Sequence, residues 1–408
     1  MLLVKNASQL ITLEGGVRKD SYDLAIIEDG AVLIEGSKIV EIGTTRDLKN
    51  SAEDEIDASG KIVLPGFVDP HTHLIFSGTR ENELYLKLKG RTYLEILKMG
   101  GGILRTVRAT RSASIQDLIR ETTRRLDYML INGTTTAEAK SGYGLDYENE
   151  LKILHVINGI SHPIEVVPTF LGAHAVPPEF KDSGEYIEFL VEEVIPKISG
   201  LAEFIDIFCE KGVFSADESR YYLESGKKHG LIPKIHADEI CDIGCTRVGV
   251  EVGAISVDHL VKTGDESLDA LEGSGTIAVF LPATPYMLLS REYARAREFI
   301  RRGIPVALAT DLNPNAYTES MQMVISLAIT QMRMLPEEAI AASTINAAAA
   351  IGRSDVIGSI EKGKQADIII MDAENYQQIG YHFGVNLVDT VIKKGRIVWR
   401  RRMDVSHS

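Results

Sequence analysis

Eight short apolar runs, each closing on polar residues, constrain the fold of this chain more than any other feature. They read GFVDPHTH, TTTAEAKSG, IEVVPTFLGAH, EFIDIFCE, IPKIHADE, AISVDHL, TIAVFLPA and VALATD. Continuous apolar runs of this length suit strands buried on both faces, as in parallel sheets. Most of the intervening stretches are amphipathic. SADESRYYLESGKKHG opens on a Ser-x-x-Glu capping signal, and GEYIEFLVEEVIPKI has helical periodicity. Eight strands alternating with helices predict an α/β fold, a (β/α)8 TIM-like barrel, over residues 63–352.

The flanks have a different character. LAIIEDGAVLIEG, KIVEIG and IDASGKIVLPG precede the barrel, and GSIEKGKQADIIIMD and VDTVIKKGRIVWRRR follow it. These are short β-branched runs broken by glycine turns. Residues 1–62 and 353–408 are therefore expected to build one small β-sandwich domain from both chain termini. The first strand-to-helix connection, Leu74 to about Ser114, is long and contains the helical YLKLKGRTYLEILKM followed by Gly100, Gly101 and Gly102. A glycine run there is either a turn or a hinge that lets a loop close over a site, and both readings stand.

Charge excludes several partners. The 408 residues carry a net charge of −14, so neither nucleic acid nor an anionic membrane surface is expected to bind. The basic clusters TTRRL and WRRRM are short and read as solvated element ends. No apolar run approaches the roughly 20 residues that span a bilayer. MLLVKNASQL lacks the apolar core and cleavage site of a secretory leader, so a cytoplasmic location is expected. The cysteines, Cys209, Cys241 and Cys245, are too few for a disulfide framework. Cys241 and Cys245 lack the second pair that a zinc ribbon needs, and buried, reduced thiols are expected.

The chemistry concentrates at the strand ends. In PGFVDPHTHL, His71 and His73 are two residues apart, so an extended strand points both to the same side. Strand three ends at His174, strand five at His236 with Asp238 and Glu239, strand six at Asp258 and His259, and strand eight at Asp311. Each has an ordinary reading: His236 as a satisfied buried histidine, His259 as core wall, Asp311 as a helix cap. Together they point to a convergent site at the C-terminal mouth of the barrel. Three imidazoles and a carboxylate suit Zn2+ or iron (Fe2+/Fe3+) better than Mg2+ or Ca2+. Such an ion brings the pKa of bound water to about 7 and polarises a carbonyl, as amide hydrolysis requires. Glu239, three residues past His236, is placed to act as general acid and base. His259 is placed to stabilise an oxyanion or orient the water.

PGFVDPHTHL, IHADE, SVDHL and ALATDLNP together resemble the amidohydrolase superfamily, and GSIEKGKQADIIIMD is similar to its C-terminal signature. Further blocks, HTHLIFSGTRENE, GGGILRTVRATR, AKSGYGLDYENELK, TFLGAHAVPPEF, FIDIFCEKGVFS and LPATPYML, resemble the branch that opens imidazolone rings in histidine degradation. The resemblance implies a small-molecule substrate, 4-imidazolone-5-propanoate, hydrolysed at its ring C–N amide bond. It implies one divalent metal per chain held by His71, His73, His236 and Asp311, with Glu239 and His259 acting on the water and the ring. Substrate contacts would come from Arg80, Tyr143, His174, Glu239 and Asn313. A guanidinium suits a propanoate tail, whereas the ordinary reading of Arg80 is a surface ion pair with Glu81 or Glu83. DLNPNAY departs from the branch's usual D-F-N-P-G-S, so Asn315 and Ala316 fill positions where a small residue and a hydroxyl are expected. Binuclear relatives bridge two ions with a lysine ending strand four. Here Lys211 lies beyond that strand and Lys140 ends strand two, so a single ion is expected. The resemblance also suggests a homodimer. The alternatives are an aminohydrolase of the guanine or cytosine deaminase type, and a barrel that serves only as a scaffold.

Overall fold

The computed structural model describes residues 1–48, 52–91, 95–96 and 99–401. Positions 92–94 and 97–98 of the stretch YLKLKGRTYLEILKM, and the end of WRRRM, lie outside the described residues. The chain opens with β1 (Leu2–Ile11), β2 (Ile26–Glu35), β3 (Lys38–Thr44), β4 (Asp54–Asp57) and β5 (Ile62–Pro65). Next come β6 (Phe67–Asp69), β7 (Thr134–Lys140), β8 (Glu165–Ala173), β9 (Phe204–Cys209), β10 (Ile232–Ala237), β11 (Ser256–His259), β12 (Ile277–Phe280) and β13 (Val306–Leu308). The last strands are β14 (Ile368–Met371), β15 (Val388–Lys393) and β16 (Arg396–Arg400).

Strands β6 to β13 pair in sequence order, all parallel, and correspond to the eight runs read from the sequence. The seam of the barrel closes just past β6 and β13. Thr72 bridges Leu312, His73 N–H donates to the Leu312 carbonyl at 2.9 Å, and Asp311 N–H donates to the His71 carbonyl at 3.1 Å. Asp69, given no role from the sequence, holds this seam by accepting from Thr310 N–H at 3.1 Å and Thr310 Oγ1 at 2.5 Å. Helices pack on the outside of the barrel at close range. Helix Ala216–Lys228 starts at the expected capping box of Ser215 and Glu218, and its Gly226 lies against Ile205 where a Cβ would sit 2.5 Å from that side chain.

The other sheet joins both ends of the chain in the order β16-β15-β14-β5-β1-β2-β3, with β4 beside β1. It curls around a shared apolar core that includes Val4, Val32, Ile56, Ile368, Ile370 and Ile392, giving the sandwich expected from the flanks. No helix among the described residues is long and apolar enough to cross a membrane.

One expectation is corrected. Cys209 and Cys245 form a disulfide, with Cα atoms 5.8 Å apart, and only Cys241 is free. The pairing joins the end of β9 to the start of helix Cys245–Glu251, two elements 36 residues apart that barrel packing brings side by side.

Burial pushes the Asp69 carboxyl up to about 7. An acid whose folded pKa exceeds its unfolded value of about 3.9 loses stability for the fold as pH rises between the two, at ~1.4 kcal/mol per unit. Asp69→Asn is expected to abolish that loss, so its melting temperature should fall less than the wild type's between about pH 4 and about pH 7. Paired thermal melts check this, and equal pH slopes would contradict it.

Candidate metal centre and substrate cavity

His71 and His73 leave the barrel just past β6, His236 lies in β10, His259 ends β11, and Asp311 follows β13. None of these five is more than 4% exposed. The backbone turns sharply where they sit: φ is +81° at His259 and +51° at Asp311. Non-glycine residues rarely adopt this left-handed region, and such strain clusters where side chains must be aimed.

The ring nitrogens and one carboxylate oxygen converge. His73 Nε2 lies 3.4 Å from His236 Nε2 and 3.4 Å from Asp311 Oδ1, and His71 Nε2 lies 3.6 Å from the same oxygen. A tetrahedral ion with ligand bonds of about 2.1 Å separates its ligands by roughly 3.4 Å. His71, His73 and His236 form one group with metal-ligand spacing, and His71, His259 and Asp311 form an overlapping one. His71 Nε2 and Asp311 Oδ1 are buried without a hydrogen-bond partner, which a bound cation would relieve, and His259 Nε2 is unpartnered beside them. The donor set fits a divalent metal.

A layer of charge beneath the cage sets its tautomers. His71 Nδ1 lies 2.6 Å from Asp258 Oδ2, and His236 Nδ1 lies 3.1 Å from Asp206 Oδ1. A carboxylate can only accept, so each proton sits on Nδ1 and each Nε2 lone pair faces the centre. Burial, helped by Lys140, drives the His71 pKa well below the ordinary value, and burial lowers that of His73, which keeps both rings neutral as ligands must be. Lys140, which ends β7, is wholly buried and pairs with Glu138 at 2.8 Å and Asp206 at 2.8 Å, with Asp258 at 3.9 Å. Its ammonium is thus engaged below the site, and it comes from strand two rather than strand four. Lys234 is buried as well, on the carbonyls of Pro70 and Ala350.

The cage opens into a cavity of about 630 Å3 that contains Arg80, Tyr143, His174, Glu239, His259, Asn313 and Asn315 in its walls. Glu239 Oε2 lies 3.8 Å from His259 Nδ1, and burial raises the pKa of Glu239. The His174 ring stacks on His73 at 4.7 Å and holds the Gly142 carbonyl at 3.0 Å. Tyr143 lies 5.3 Å from that ring. Arg80 joins both of its readings: it lines the cavity, and its Nε and Nη2 donate to Glu83 Oε2 at 3.0 and 2.8 Å. The pair is not on the surface, since the Glu83 side chain is only 2% exposed. Asn313 is folded back on its own loop, donating to the Asp311 carbonyl and accepting from the N–H groups of Asn315 and Ala316. Ala316 is fully buried and forms no part of the wall.

Several supporting residues escaped the sequence reading. Glu150 accepts from the N–H groups of Gly142, Gly144 and Leu145, so it shapes the loop that carries Tyr143. Glu83 Oε1 accepts from Gly102 N–H at 2.8 Å, which ties the glycine run to the Arg80 pair as a turn. Thr284 donates to Asp311 Oδ2. One signal was present: Glu138 and Lys140 alternate within TTTAEAKSG, and i, i+2 charges in a buried strand face the same interior.

Comparison with known proteins agrees with this geometry. A family model described as Amidohydrolase family matches residues 254–398, and a second with the same description matches residues 54–110. The chain is 52% identical to an imidazolonepropionase of Geobacillus thermodenitrificans over 97% of each chain. It is 48% identical to that of Shouchella clausii over 98% of this chain and 93% of the relative. A 5-methylcytosine deaminase from Klebsiella pneumoniae shares the fold, with a TM-score of 0.78 at 16% identity over all of both chains.

Asp258→Ala removes the acceptor that fixes the His71 tautomer. It is expected to weaken metal binding ~10–100-fold in a folded protein. Chelator competition measures this, and unchanged affinity would contradict the orienting role.

Proposed function

The chain belongs to the imidazolonepropionase family of amidohydrolases, and from that premise we propose that it hydrolyses the ring C–N amide bond of 4-imidazolone-5-propanoate to N-formimidoyl-L-glutamate. It is a hydrolase of cyclic amide carbon–nitrogen bonds. The observation that carries the reading is the four-ligand cage opening directly onto a cavity with Glu239 and His259 at one side and a guanidinium, Arg80, in its wall. Residues 63–352 form the catalytic unit in this reading, with 1–62 and 353–408 as the supporting domain.

One ion, Zn2+ or iron, would be held by His71, His73, His236 and Asp311 and would supply Lewis acidity. Glu239 takes the proton of the attacking water and returns it to the departing ring nitrogen. Its raised pKa suits the second role, because a carboxyl that keeps its proton is the better acid. His259, with Nε2 unpartnered, donates to the oxygen that gains charge. His174, held neutral by burial, and Tyr143 bracket the flat ring. Arg80, aimed by Glu83, meets the propanoate. Asn313 and Asn315 border the same space, and Ala316 supports their loop by accepting from Asn313 N–H at 3.2 Å. A cytoplasmic location, where a histidine-degradation intermediate would be supplied, is part of this reading. A homodimer would cover the exposed Tyr381 and Phe383 beside an apolar groove of about 640 Å3.

Metal-loaded protein is expected to bleach the ring absorbance of 4-imidazolone-5-propanoate, with the rate lost on chelation and in His236→Ala. Absence of turnover by the loaded wild type would overturn the reading. Arg80→Ala is expected to raise KM for this substrate at least ~10-fold. A KM unchanged from wild type would remove Arg80 from the substrate-binding residues.

A further inference from the structure

The cavity has a cation that the reading above leaves unused. Lys87 lies in its wall, on helix Glu81–Leu88 of the long first connection. Arg80 cannot supply net positive charge alone, because its guanidinium is already matched by the buried Glu83 carboxylate. Lys87 differs. Its Nζ donates to a neutral group, Asn315 Oδ1, at 3.0 Å, and among the described residues no carboxylate lies within ion-pair distance of it. The Asn315 contact fastens the first connection to the loop after β13, two segments 228 residues apart that both line the cavity.

We propose that Lys87, positioned by Asn315, is the residue that selects substrates bearing a carboxylate tail, acting beside Arg80 as the uncompensated charge of the pocket. The division of labour is physical: the Arg80 and Glu83 pair fixes donor geometry, and the Lys87 ammonium provides the attraction. Burial and the neighbouring Arg80 guanidinium hold the Lys87 pKa below its ordinary value against the weaker opposing pull of Glu83, and an incoming carboxylate relieves that repulsion. The inference rests on the proposed substrate class and goes beyond it by naming what reads the tail.

The test compares 4-imidazolone-5-propanoate with its neutral 5-propanamide in wild type, Lys87→Met, Lys87→Arg and Asn315→Ala. For the carboxylate substrate, Lys87→Met should raise KM ~10-fold or more with kcat held within about 3-fold, and Lys87→Arg should recover most of that loss. Asn315→Ala should fall between wild type and Lys87→Met. The amide should show the same KM in wild type and Lys87→Met, within about 2-fold. An unchanged KM for the carboxylate in Lys87→Met, or equal losses on both substrates, would overturn the proposal while leaving the activity intact. Turnover of neither substrate by metal-loaded wild type would instead overturn the functional reading, and this proposal with it.

Discussion

The structure depends on a positive charge with no access to water. Lys140 sits inside the barrel among Glu138, Asp206 and Asp258. A buried ammonium loses its hydration, and only close carboxylates offset that cost. Those carboxylates are then held in place, and two of them pin His236 and His71 by their Nδ1 atoms. Lys140 raises its own pKa through this company, although burial works against it, while Asp206 is held low by His236 and Lys140 against the same burial. The cage above therefore stands on an ionic foundation rather than on apolar packing.

The proposed metal ligands and the proposed tail-binding residues line one cavity but come from different parts of the fold. The metal ligands come from the strand ends, where the barrel is rigid and pairing fixes each register. The guanidinium and ammonium come from the long first connection, which folds back over the mouth. Glu83 and Asn315 tie that connection down, one through Gly102 and Arg80, the other through Lys87. The residues proposed to bind the ion thus depend on the sheet, and those proposed to read the substrate depend on loop contacts.

Much of this was legible in the sequence because burial leaves a one-dimensional trace. Strands covered on both faces read as apolar runs, and the histidines stood out at their ends. The capping box at Ser215 and Glu218 was equally local. What escaped depends on which neighbours meet through space. The Cys209–Cys245 bond joins elements 36 residues apart. The role of Lys140 is invisible until β7, β9 and β11 face a common interior. Asp69 looked ordinary because Thr310, its partner, lies 241 residues away. Asn315 read only as a departure from the expected small residue, whereas its side-chain oxygen accepts from Lys87, 228 residues away.

The central claim is a single divalent ion held by three imidazoles and one carboxylate above the Lys140 cluster. Anomalous diffraction from metal-loaded crystals, collected at the absorption edge of the bound element, tests it most directly. The account predicts one peak per chain, bonded to Nε2 of His71, His73 and His236 and to Oδ1 of Asp311. Two peaks, a peak bonded to a lysine-derived ligand, or no peak within this cage would contradict it.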